Sequence, residues 1–360
     1  GVSSAASDVY KRQGIFQALD ELKPKALAVA GWGTADARAC LAWCKKNGAK
    51  AIVMSETRSV DGRRVWWKEW IKSRIVRKFD GALCGGESHK RYLMELGIPA
   101  TRIALGYNAV DNHLFIDNAK GERGIFDKDF QGSTGEMESP PYFLASNRFV
   151  VRKNLARLIR AYARYAESFQ QGGLATIWPL VLLGDGELRE ELEALCGELG
   201  LRTAGELSHG GTEHIEGEHL KLNSYKLKTI AVGGMVVFAG FRQIEELPAF
   251  YARAGAFVHP ALEEPWGLVI NEAMASGLPV LSSRNVGAAE ELVVEGKTGY
   301  LFDPKNVEEI ASALVKIVAM EPEKRLAMGR AAFEQVERVA PLKAFGEGLA
   351  NLLTVEIQKK

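Results

Sequence analysis

Apolar residues recur along this chain at two alternating spacings, one typical of strands and the other typical of helices. Short apolar or β-branched runs, "ALAVAG", "AIVMS", "GALCGG" and "RIALGY", are separated by segments whose apolar residues repeat at helical spacing. Those segments predict helices over residues 37–46, 65–79 and 88–96. Because strands that alternate with helices build parallel sheets with right-handed crossovers, the first part of the chain predicts half of a doubly wound α/β sheet.

The alternation stops over residues 118–141, where Gly, Ser, Pro and charged residues dominate and predict an interdomain linker. It restarts with a second set of strand-like runs, "YFLAS", "PLVLLGDG", "MVVFAGF", "AFVHP", "PVLSS" and "GYLF". Roughly six strands is a usual size for such a sheet. We therefore expect two α/β domains that face each other across a cleft.

The domain boundaries follow from where these patterns begin and end. Residues 1–13 match neither period and are predicted to be a non-native scar, so the first domain, 14–117, is expected to be incomplete. The second domain is predicted over 142–335, with an insertion at about 201–233 in a connection that usually takes ~2–6 residues. A C-terminal helix is predicted over 336–360 and can cross back to the first domain.

Composition narrows the classes of partner. Lys and Arg total 46 while Asp and Glu total 45, so no overall field attracts nucleic acid and any anion binding must be local. No apolar run approaches the ~20 residues that a membrane span needs, and the first residues lack the apolar centre of a signal peptide. We expect a cytoplasmic protein.

Two features resemble metal ligands but predict no metal site. The insertion carries three histidines, and "DKD" at Asp127–Asp129 fits a D-x-D pattern. No Cys or paired carboxylate accompanies His209, His214 and His219, and the "DKD" run lies in the predicted linker. We therefore expect neither a metal nor a cofactor.

The loop "EEPWG" follows the strand "AFVHP" and precedes a helix predicted over residues 268–276. Pro265 has no backbone N–H and Gly267 permits a close backbone approach, so the loop can direct free N–H groups toward a ligand at the start of the helix. A helix N-terminus with free N–H groups binds anions. The loop therefore predicts an anion site.

A second group of charges follows the strand "YFLAS". Arg148 and Lys153 lie five residues apart at its carboxyl end, where ligands of open α/β sheets collect. Together they match the charge of a diphosphate. Glu272, at most about two helical turns beyond Glu264, can accept hydrogen bonds from a ribose diol, while Glu264 lies in the loop nearer a reacting sugar.

The run "FVHPALEEPWGLVINEAMASGLPVLSSRNVGAAEELVVEGKTGYLFDP" resembles retaining nucleotide-sugar glycosyltransferases of the GT4 type. It reproduces their E-x7-E motif as Glu264 and Glu272. "NRFVVRKNL" is similar to their G-R-x4-K element, and "LLGDGELREEL" and "FAGFRQIEELPAFYARA" also match. The resemblance covers essentially everything after Tyr142, and several motifs in the right order make it specific.

This resemblance implies a GT-B fold of two Rossmann-like domains and a metal-independent hexosyltransferase. The enzyme would move a hexose from a nucleoside diphosphate sugar to a hydroxyl acceptor, saccharide or lipid-linked, with retention. Arg148 and Lys153 would neutralise the departing diphosphate, and Glu264 would contact the donor sugar. The remaining donor-binding groups implied are Glu272 at the ribose, the backbone amides of Gly267, Leu268 and Val269, Trp266 as a wall of the sugar pocket, and Arg242 near the base.

The first domain resembles the family less closely. "GYNAVDNHLF" is similar to the N-G-V-D-x4-F element through Asn108, Asp111 and Phe115. Where the family often carries a His in a T-x-H pattern, this chain has Glu56, so a His-assisted role is not expected. The family's first strand and its Gly-rich loop have no counterpart here.

The segment 63–79 combines Trp66, Trp67 and Trp70 with seven Lys or Arg and one Glu. A basic amphipathic helix with Trp can lie on anionic lipid, which would give the protein a peripheral membrane contact. Alternatively the aromatic rings pack onto the sheet and into the cleft while the cations face water. We take this inward packing as the simpler expectation.

Other functions stay open at this point. The chain can be a nucleotide-sugar-binding or degenerate, non-catalytic module, in which the two cations form a solvated pair and the two Glu merely favour a helix N-terminus. It can also be a nucleotide-sugar epimerase on the same fold, which would convert the donor with no acceptor present. Glycosyl transfer accounts for Arg148, Lys153, Glu264 and Glu272 together.

Overall fold

The computed structural model describes residues 14–116, 141–172, 177–204 and 234–354. The predicted scar and nearly all of the predicted linker and insertion, with the three histidines and the "DKD" run, lie outside the described residues. The chain divides into two compact units: one takes the residues up to Val110 together with those from Ala340 onward, and the other runs from Asp111 to Val339. Each unit is built on a parallel sheet, as the alternating pattern predicts.

The first unit holds a four-stranded sheet of β1 (Ala26–Ala30), β2 (Lys50–Ser55), β3 (Gly81–Cys84) and β4 (Ile103–Leu105), in that order, with each neighbouring pair parallel. Helix α2 (Ala35–Asn47) follows the N-cap Thr34, whose hydroxyl accepts from the Ala37 amide at 3.1 Å, and it is ended by Gly48 in the left-handed region. Up to Val110, the helices and strands of this unit are α1 (14–22), β1 (Ala26–Ala30), α2 (Ala35–Asn47), β2 (Lys50–Ser55), α3 (Trp66–Val76), β3 (Gly81–Cys84), α4 (Glu87–Glu95) and β4 (Ile103–Leu105).

In the second unit the described strands form one parallel sheet of order β11-β10-β9-β5-β6-β8-β7. Its elements are α5 (112–116), β5 (Phe143–Ser146), α6 (Leu155–Gly172), β6 (Leu180–Leu183), α7 (Arg189–Glu198), β7 (Arg202–Ala204), β8 (Met235–Gly240), α8 (Leu247–Arg253), β9 (Ala256–His259), α9 (Leu268–Ala275), β10 (Val280–Ser283), α10 (Gly287–Leu292), β11 (Gly299–Phe302), α11 (Val307–Val318) and α12 (Pro322–Val339). Strand β7 takes the first residues of the predicted insertion.

The sheet of the second unit reverses its direction of growth at its first strand. The chain leaves β5 for β6 and β8 on one side and later returns to place β9 on the other side of β5. The β5–β9 register pairs Phe143 with Ala256 and Leu144 with Phe257. The carboxyl ends of β5 and β9 therefore flank the topological switch point, where open α/β sheets bind ligands.

Two predicted boundaries are wrong. Residues 112–116 belong to the second unit, because Phe115 is buried there with its ring edge against Tyr251 at 5.5 Å. The helix predicted over 336–360 is two helices: α12 ends at Val339, and after Pro341 helix α13 (Lys343–Thr354) packs on β3 and β4 of the first unit. These boundaries depend on side-chain contacts between distant parts of the chain.

The inward packing expected for the tryptophans of α3 is also wrong. Trp66 is 82% exposed, Trp70 54% and Trp67 47%. The residue of α3 that is buried is Val76, near the end of the helix. One side of α3 therefore presents aromatic rings to solvent.

Gly299, on the edge strand β11, lies very close to the neighbouring strand β10. A Cβ on Gly299 would lie 1.8 Å from the Val280 carbonyl oxygen of the paired strand. We predict that Gly299→Ala lowers the free energy of unfolding by about 2–3 kcal/mol, because the strands must separate. Urea titration measures this, with Gly197→Ala as control: that helical glycine has nothing within 4 Å of its added Cβ, so the control should be neutral or stabilising. Equal stability of both variants would contradict the argument.

Candidate functional site

A short turn after β5 is joined to the loop after β9 by backbone and amide hydrogen bonds. Asn154, in the left-handed region at φ 60°, ends the 3₁₀ turn Val151–Lys153. Its side-chain Nδ2 donates to the carbonyl oxygens of Pro260 at 2.9 Å and Pro304 at 2.7 Å. The Leu262 amide donates to the Arg152 carbonyl at 2.9 Å. The two segments at the switch point are thus held together by the fold.

This junction brings Lys153 and Glu264, two of the predicted catalytic residues, into contact. Lys153 Nζ donates to Glu264 Oε2, and the two side chains are only 11% and 13% exposed. Arg152 Nη1 lies 3.7 Å from the other carboxylate oxygen. Because water screens a partly buried pair less than an exposed one, these charges interact strongly and form a compact polar centre.

The backbone of the loop after β9 is fixed from the other side by α10 and the residues before it. The Gly287 amide donates to the Glu264 carbonyl at 3.0 Å, and the Ala288 amide donates to the Trp266 carbonyl at 2.9 Å. Trp266 itself is buried, and its indole N–H donates to Asn271 Oδ1 at 3.0 Å. The role of Trp266 as a wall of the sugar pocket stays a prediction; in this structure its ring packs inside the fold and helps to fix the loop.

Gly267 places the start of α9 beside this polar centre. It adopts φ 98°, and a Cβ there would lie 3.0 Å from Val286 Cγ1 and 3.3 Å from Glu264 Cγ. The helix begins at Leu268 without a side-chain cap. The Ile270 amide donates to the Gly267 carbonyl at 3.0 Å, but the amides of Leu268 and Val269 have no intrahelical partner. Together with the positive end of the helix dipole, they can bind an anion or sugar oxygens.

Glu272, on the same helix, has a different kind of partner. Its Oε2 accepts from the Tyr251 hydroxyl at 2.7 Å. Burial raises the pKa of Glu272, and the bond from Tyr251 opposes that rise. Its carboxylate can accept further hydrogen bonds from a ligand hydroxyl.

Two further predicted site residues, Arg148 and Arg242, are not part of the Lys153–Glu264 pair itself. Arg148 is exposed and forms no ion pair within the ranges that the structure describes. Arg242 lies 4.0 Å from Glu246 Oε1, with its guanidinium 6.0 Å from the centroid of the Phe250 ring. Both follow carboxyl ends of strands, β5 and β8 respectively.

Two buried polar side chains at the switch point were not predicted from the sequence. His259, the last residue of β9, and Asn147, the first after β5, have no hydrogen-bond partner for their side-chain nitrogens within the described part of the chain. Burial, reinforced by Lys153 and Arg152, lowers the pKa of His259 to about 3, so the ring is neutral. Their positions at the carboxyl ends of apolar strands could have identified them from the sequence, since those ends meet at one edge of a parallel sheet.

Chemically, the centre combines cations, a carboxylate and free amides around one strand junction, an arrangement suited to a phosphorylated sugar. Among the residues that the structure covers, no group of three or more His, Cys, Asp and Glu could hold a metal ion.

Comparison with known sequences identifies related domains. Residues 210–335 match the family described as "Glycosyl transferases group 1". A sulfoquinovosyl transferase of Arabidopsis thaliana is 33% identical over 44% of this chain and 32% of its own length. A GDP-mannose-dependent phosphatidylinositol monomannoside mannosyltransferase of Mycolicibacterium smegmatis is 30% identical over 52% of this chain and 41% of its own length. The chain thus spans less than half of the length of these relatives.

Solved structures resemble a larger part of the chain. Anabaena HepE in complex with UDP has a TM-score of 0.67 at 17% identity, covering 96% of this chain and 82% of that one. A sucrose-phosphate synthase of Thermosynechococcus elongatus has a TM-score of 0.68 at 19% identity, covering 95% and 76%. These likenesses confirm the predicted GT-B fold.

Asn154 is the residue whose removal should loosen the junction. We predict that Asn154→Ala lowers the free energy of unfolding by about 2 kcal/mol, because two buried carbonyls lose their donor. For a unit of this size that corresponds to roughly 4–8 °C in melting temperature. Arg157→Ala, which removes only the 2.8 Å bond to Asn154 Oδ1, should cost less than half as much. Equal melting temperatures for the two variants would show that the junction does not depend on Asn154.

Proposed function

We propose that this protein is a retaining hexosyltransferase of the GT4 type. It transfers a hexose from a nucleoside diphosphate sugar to a hydroxyl acceptor, which is a saccharide or a lipid-linked sugar. The donor is a substrate, and the reaction uses neither a metal nor a cofactor. A cytoplasmic location remains part of the same proposal.

One observation carries this proposal: the contact of Lys153 with Glu264 at the switch point, beside the uncapped start of α9. Lys153 is held by Glu264. A diphosphate would offer Lys153 a second anion, while the exposed Arg148 is free to turn toward it. Glu264 would then accept a hydrogen bond from a hydroxyl of the donor sugar.

The chemistry follows from where charge develops. The bond from the sugar C1 to the diphosphate oxygen breaks, and a bond from C1 to the acceptor oxygen forms on the same face. The proton of the acceptor hydroxyl passes to the leaving phosphate. Lys153, Arg148 and the amides of Leu268 and Val269 stabilise the negative charge that builds on that phosphate, and one such donor typically contributes about 3 kcal/mol.

The named relatives support a nucleoside diphosphate donor. HepE binds UDP, and the mannosyltransferase depends on GDP-mannose. One of these relatives is a mannosyltransferase and another is a sulfoquinovosyl transferase, so both transfer a sugar group. This supports the transfer of a sugar by the present protein. A nucleotide-sugar-binding module and an epimerase remain the alternatives that activity measurements separate.

The exposed side of α3 supports the further proposal of a peripheral contact with anionic membranes. Trp66, Trp67, Trp70 and Ile71 lie on it, each more than two-fifths exposed. Arg74 also lies there, with its guanidinium 4.0 Å from the centroid of the Trp70 ring. Trp rings beside cations favour the headgroup region of a bilayer.

The charges of this segment are arranged to suit anionic lipid. Its single acid, Glu69, is turned away from the tryptophans, because it accepts from Lys72 Nζ and from the hydroxyl of the buried Tyr92, both at 2.7 Å. Residues 63–79 carry seven cations, of which Lys72 and Arg64 lie against Glu69. Each of the others adds about 1 kcal/mol where it lies near an anionic surface. No described helix has the length and apolarity needed to cross a bilayer.

The donor site is tested by calorimetric titration with UDP, GDP and ADP. We expect one nucleotide to bind, and Arg148→Ala/Lys153→Ala to weaken that binding by about a hundredfold or more, because two charge-assisted contacts are lost. The charge-matched double variant Arg160→Ala/Lys316→Ala, on α6 and α11, should bind as the unmodified protein does. No nucleotide binding by the folded protein would refute the site.

Turnover of the matching nucleotide sugar separates the alternatives. Glycosyl transfer predicts product only with an acceptor, and NMR should show the donor's anomeric configuration in that product. Conversion of the donor alone would identify an epimerase. Binding without turnover across saccharide and lipid-linked acceptors would favour a non-catalytic module.

The lipid contact is tested by sedimentation with vesicles of phosphatidylcholine, with and without phosphatidylglycerol. We expect binding to the anionic vesicles only, weakened by salt. The variant Trp66→Ser/Trp70→Ser should bind about tenfold more weakly or worse, since two interfacial rings are lost. Phe241→Ser removes an equally exposed ring from the second unit and should have no effect. Equal binding by the unmodified protein and both variants would refute the proposed lipid contact.

A further inference from the structure

The two glutamates of the E-x7-E motif are held by chemically different partners. Glu264 contacts two cations, Lys153 and Arg152. Glu272 has no ion pair in the described ranges, and the hydroxyl of Tyr251 is the one hydrogen-bond donor that reaches its carboxylate there. A neutral donor fixes one carboxylate oxygen and leaves the negative charge uncompensated.

The side chains around Tyr251 hold its ring in a fixed position, from which its hydroxyl donates to Glu272. It is fully buried on α8, with Phe257 stacked on its ring at 5.6 Å and Phe115 meeting it edge-on at 5.5 Å. The side chain of Ser146, at the end of β5, lies next to the tyrosine hydroxyl and lowers the pKa of Tyr251, against the rise that burial causes. Polar groups therefore run from Ser146 through Tyr251 to Glu272, from the central strand of the sheet to the helix that starts at the anion site.

The bond from Tyr251 leaves Glu272 one carboxylate oxygen with which to accept from a ligand. With Oε2 taken by Tyr251 and the carboxylate unable to rotate without breaking that bond, Oε1 is left to accept from a ligand. An accepting oxygen of fixed direction discriminates between ligands that present a hydroxyl at that point and ligands that lack it, because the latter leave a buried carboxylate oxygen unpaired.

We propose that Tyr251 is a positioning residue that holds Glu272 in the orientation that recognises the ribose diol of the donor nucleotide. This inference rests on the proposed function, in which Glu272 binds the ribose. Ser146 acts one step further back, through Tyr251. The tyrosine itself makes no contact with the ligand.

The test compares a nucleoside diphosphate with its 2′-deoxy analogue by calorimetry. The nucleotide is whichever of UDP, GDP and ADP binds best. The unmodified protein should prefer the ribonucleotide by about tenfold or more. In Tyr251→Phe, whose ring keeps the aromatic packing, this preference should fall to about twofold, while affinity for the deoxy analogue stays within about twofold. Ser146→Ala should give an intermediate preference.

Tyr142→Phe is the matched control. Tyr142 is also buried, and its hydroxyl donates to the Phe250 carbonyl at 2.7 Å rather than to a carboxylate. It should lose stability but keep the ribose preference. A preference that survives intact in Tyr251→Phe, or an equal loss of affinity for both nucleotides, would overturn the positioning role and leave Tyr251 as a packing residue.

A second readout is the pH dependence of the preference. The bond from Tyr251 lowers the pKa of Glu272, so removing it raises that pKa further. The carboxylate form accepts from the diol. As the pH falls, the preference of about twofold that remains in Tyr251→Phe should therefore be lost at a higher pH than the larger preference of the unmodified protein. An unshifted profile would contradict the proposal.

Failure of the proposed function gives a different result. If the unmodified protein binds both nucleotides equally well, Glu272 does not read the ribose and the positioning role fails with it. If no nucleoside diphosphate binds to the folded protein, the donor site itself is refuted. Only a ribose preference that depends on Tyr251 supports the inference.

Discussion

The pairing of β5 with β9 is the constraint on which the candidate site depends. Two parallel strands that are distant in sequence end side by side, and the segments that follow them carry Lys153 and Glu264. Asn154 joins the two segments by donating to the backbone of the second, so the ion pair does not have to hold the loops together by itself. A partly buried charge pair is costly to desolvate, and a preformed backbone makes its geometry available without further ordering.

The site is held from behind by uncharged groups. Trp266 and Asn271 support the loop, Tyr251 supports Glu272, and the backbone of α10 anchors the residues before Gly267. The charged side chains Lys153, Arg152 and Glu264 lie together next to these supports. This division matters for the proposed function, because a ligand that took Lys153 from Glu264 would change the charges without removing any bond that keeps the loop in place.

The alternation of strands and helices was readable because each element has its own apolar period. The predicted strands of the second domain appear in the structure, and the helix expected over 268–276 is α9. The charges at strand ends were readable for the same reason: parallel strands place their carboxyl ends on one edge. Lys153 and Glu264 were found in that way, and Arg152 was adjacent to them in sequence without being singled out.

Other features could not be read from local pattern. The inward position of Trp266, the outward position of the α3 tryptophans and the contact of Phe115 with Tyr251 depend on which surfaces the tertiary fold leaves covered. An aromatic residue at helical spacing fits either side of such a surface. Burial is decided by packing partners that lie hundreds of residues away for some elements, as with α13 on the first sheet.

The sequence by itself determined the fold class, the order of its elements and the residues that carry charge at the strand ends, since these follow from periodicity and side-chain chemistry within short windows. Only the tertiary structure decided which of those charges meet. It paired Glu264 with cations and Glu272 with a buried hydroxyl, although both belong to one motif. The physical reason is that hydrogen bonds and ion pairs require distances of about 3–4 Å, and those distances are set by strands and helices that pack together after folding.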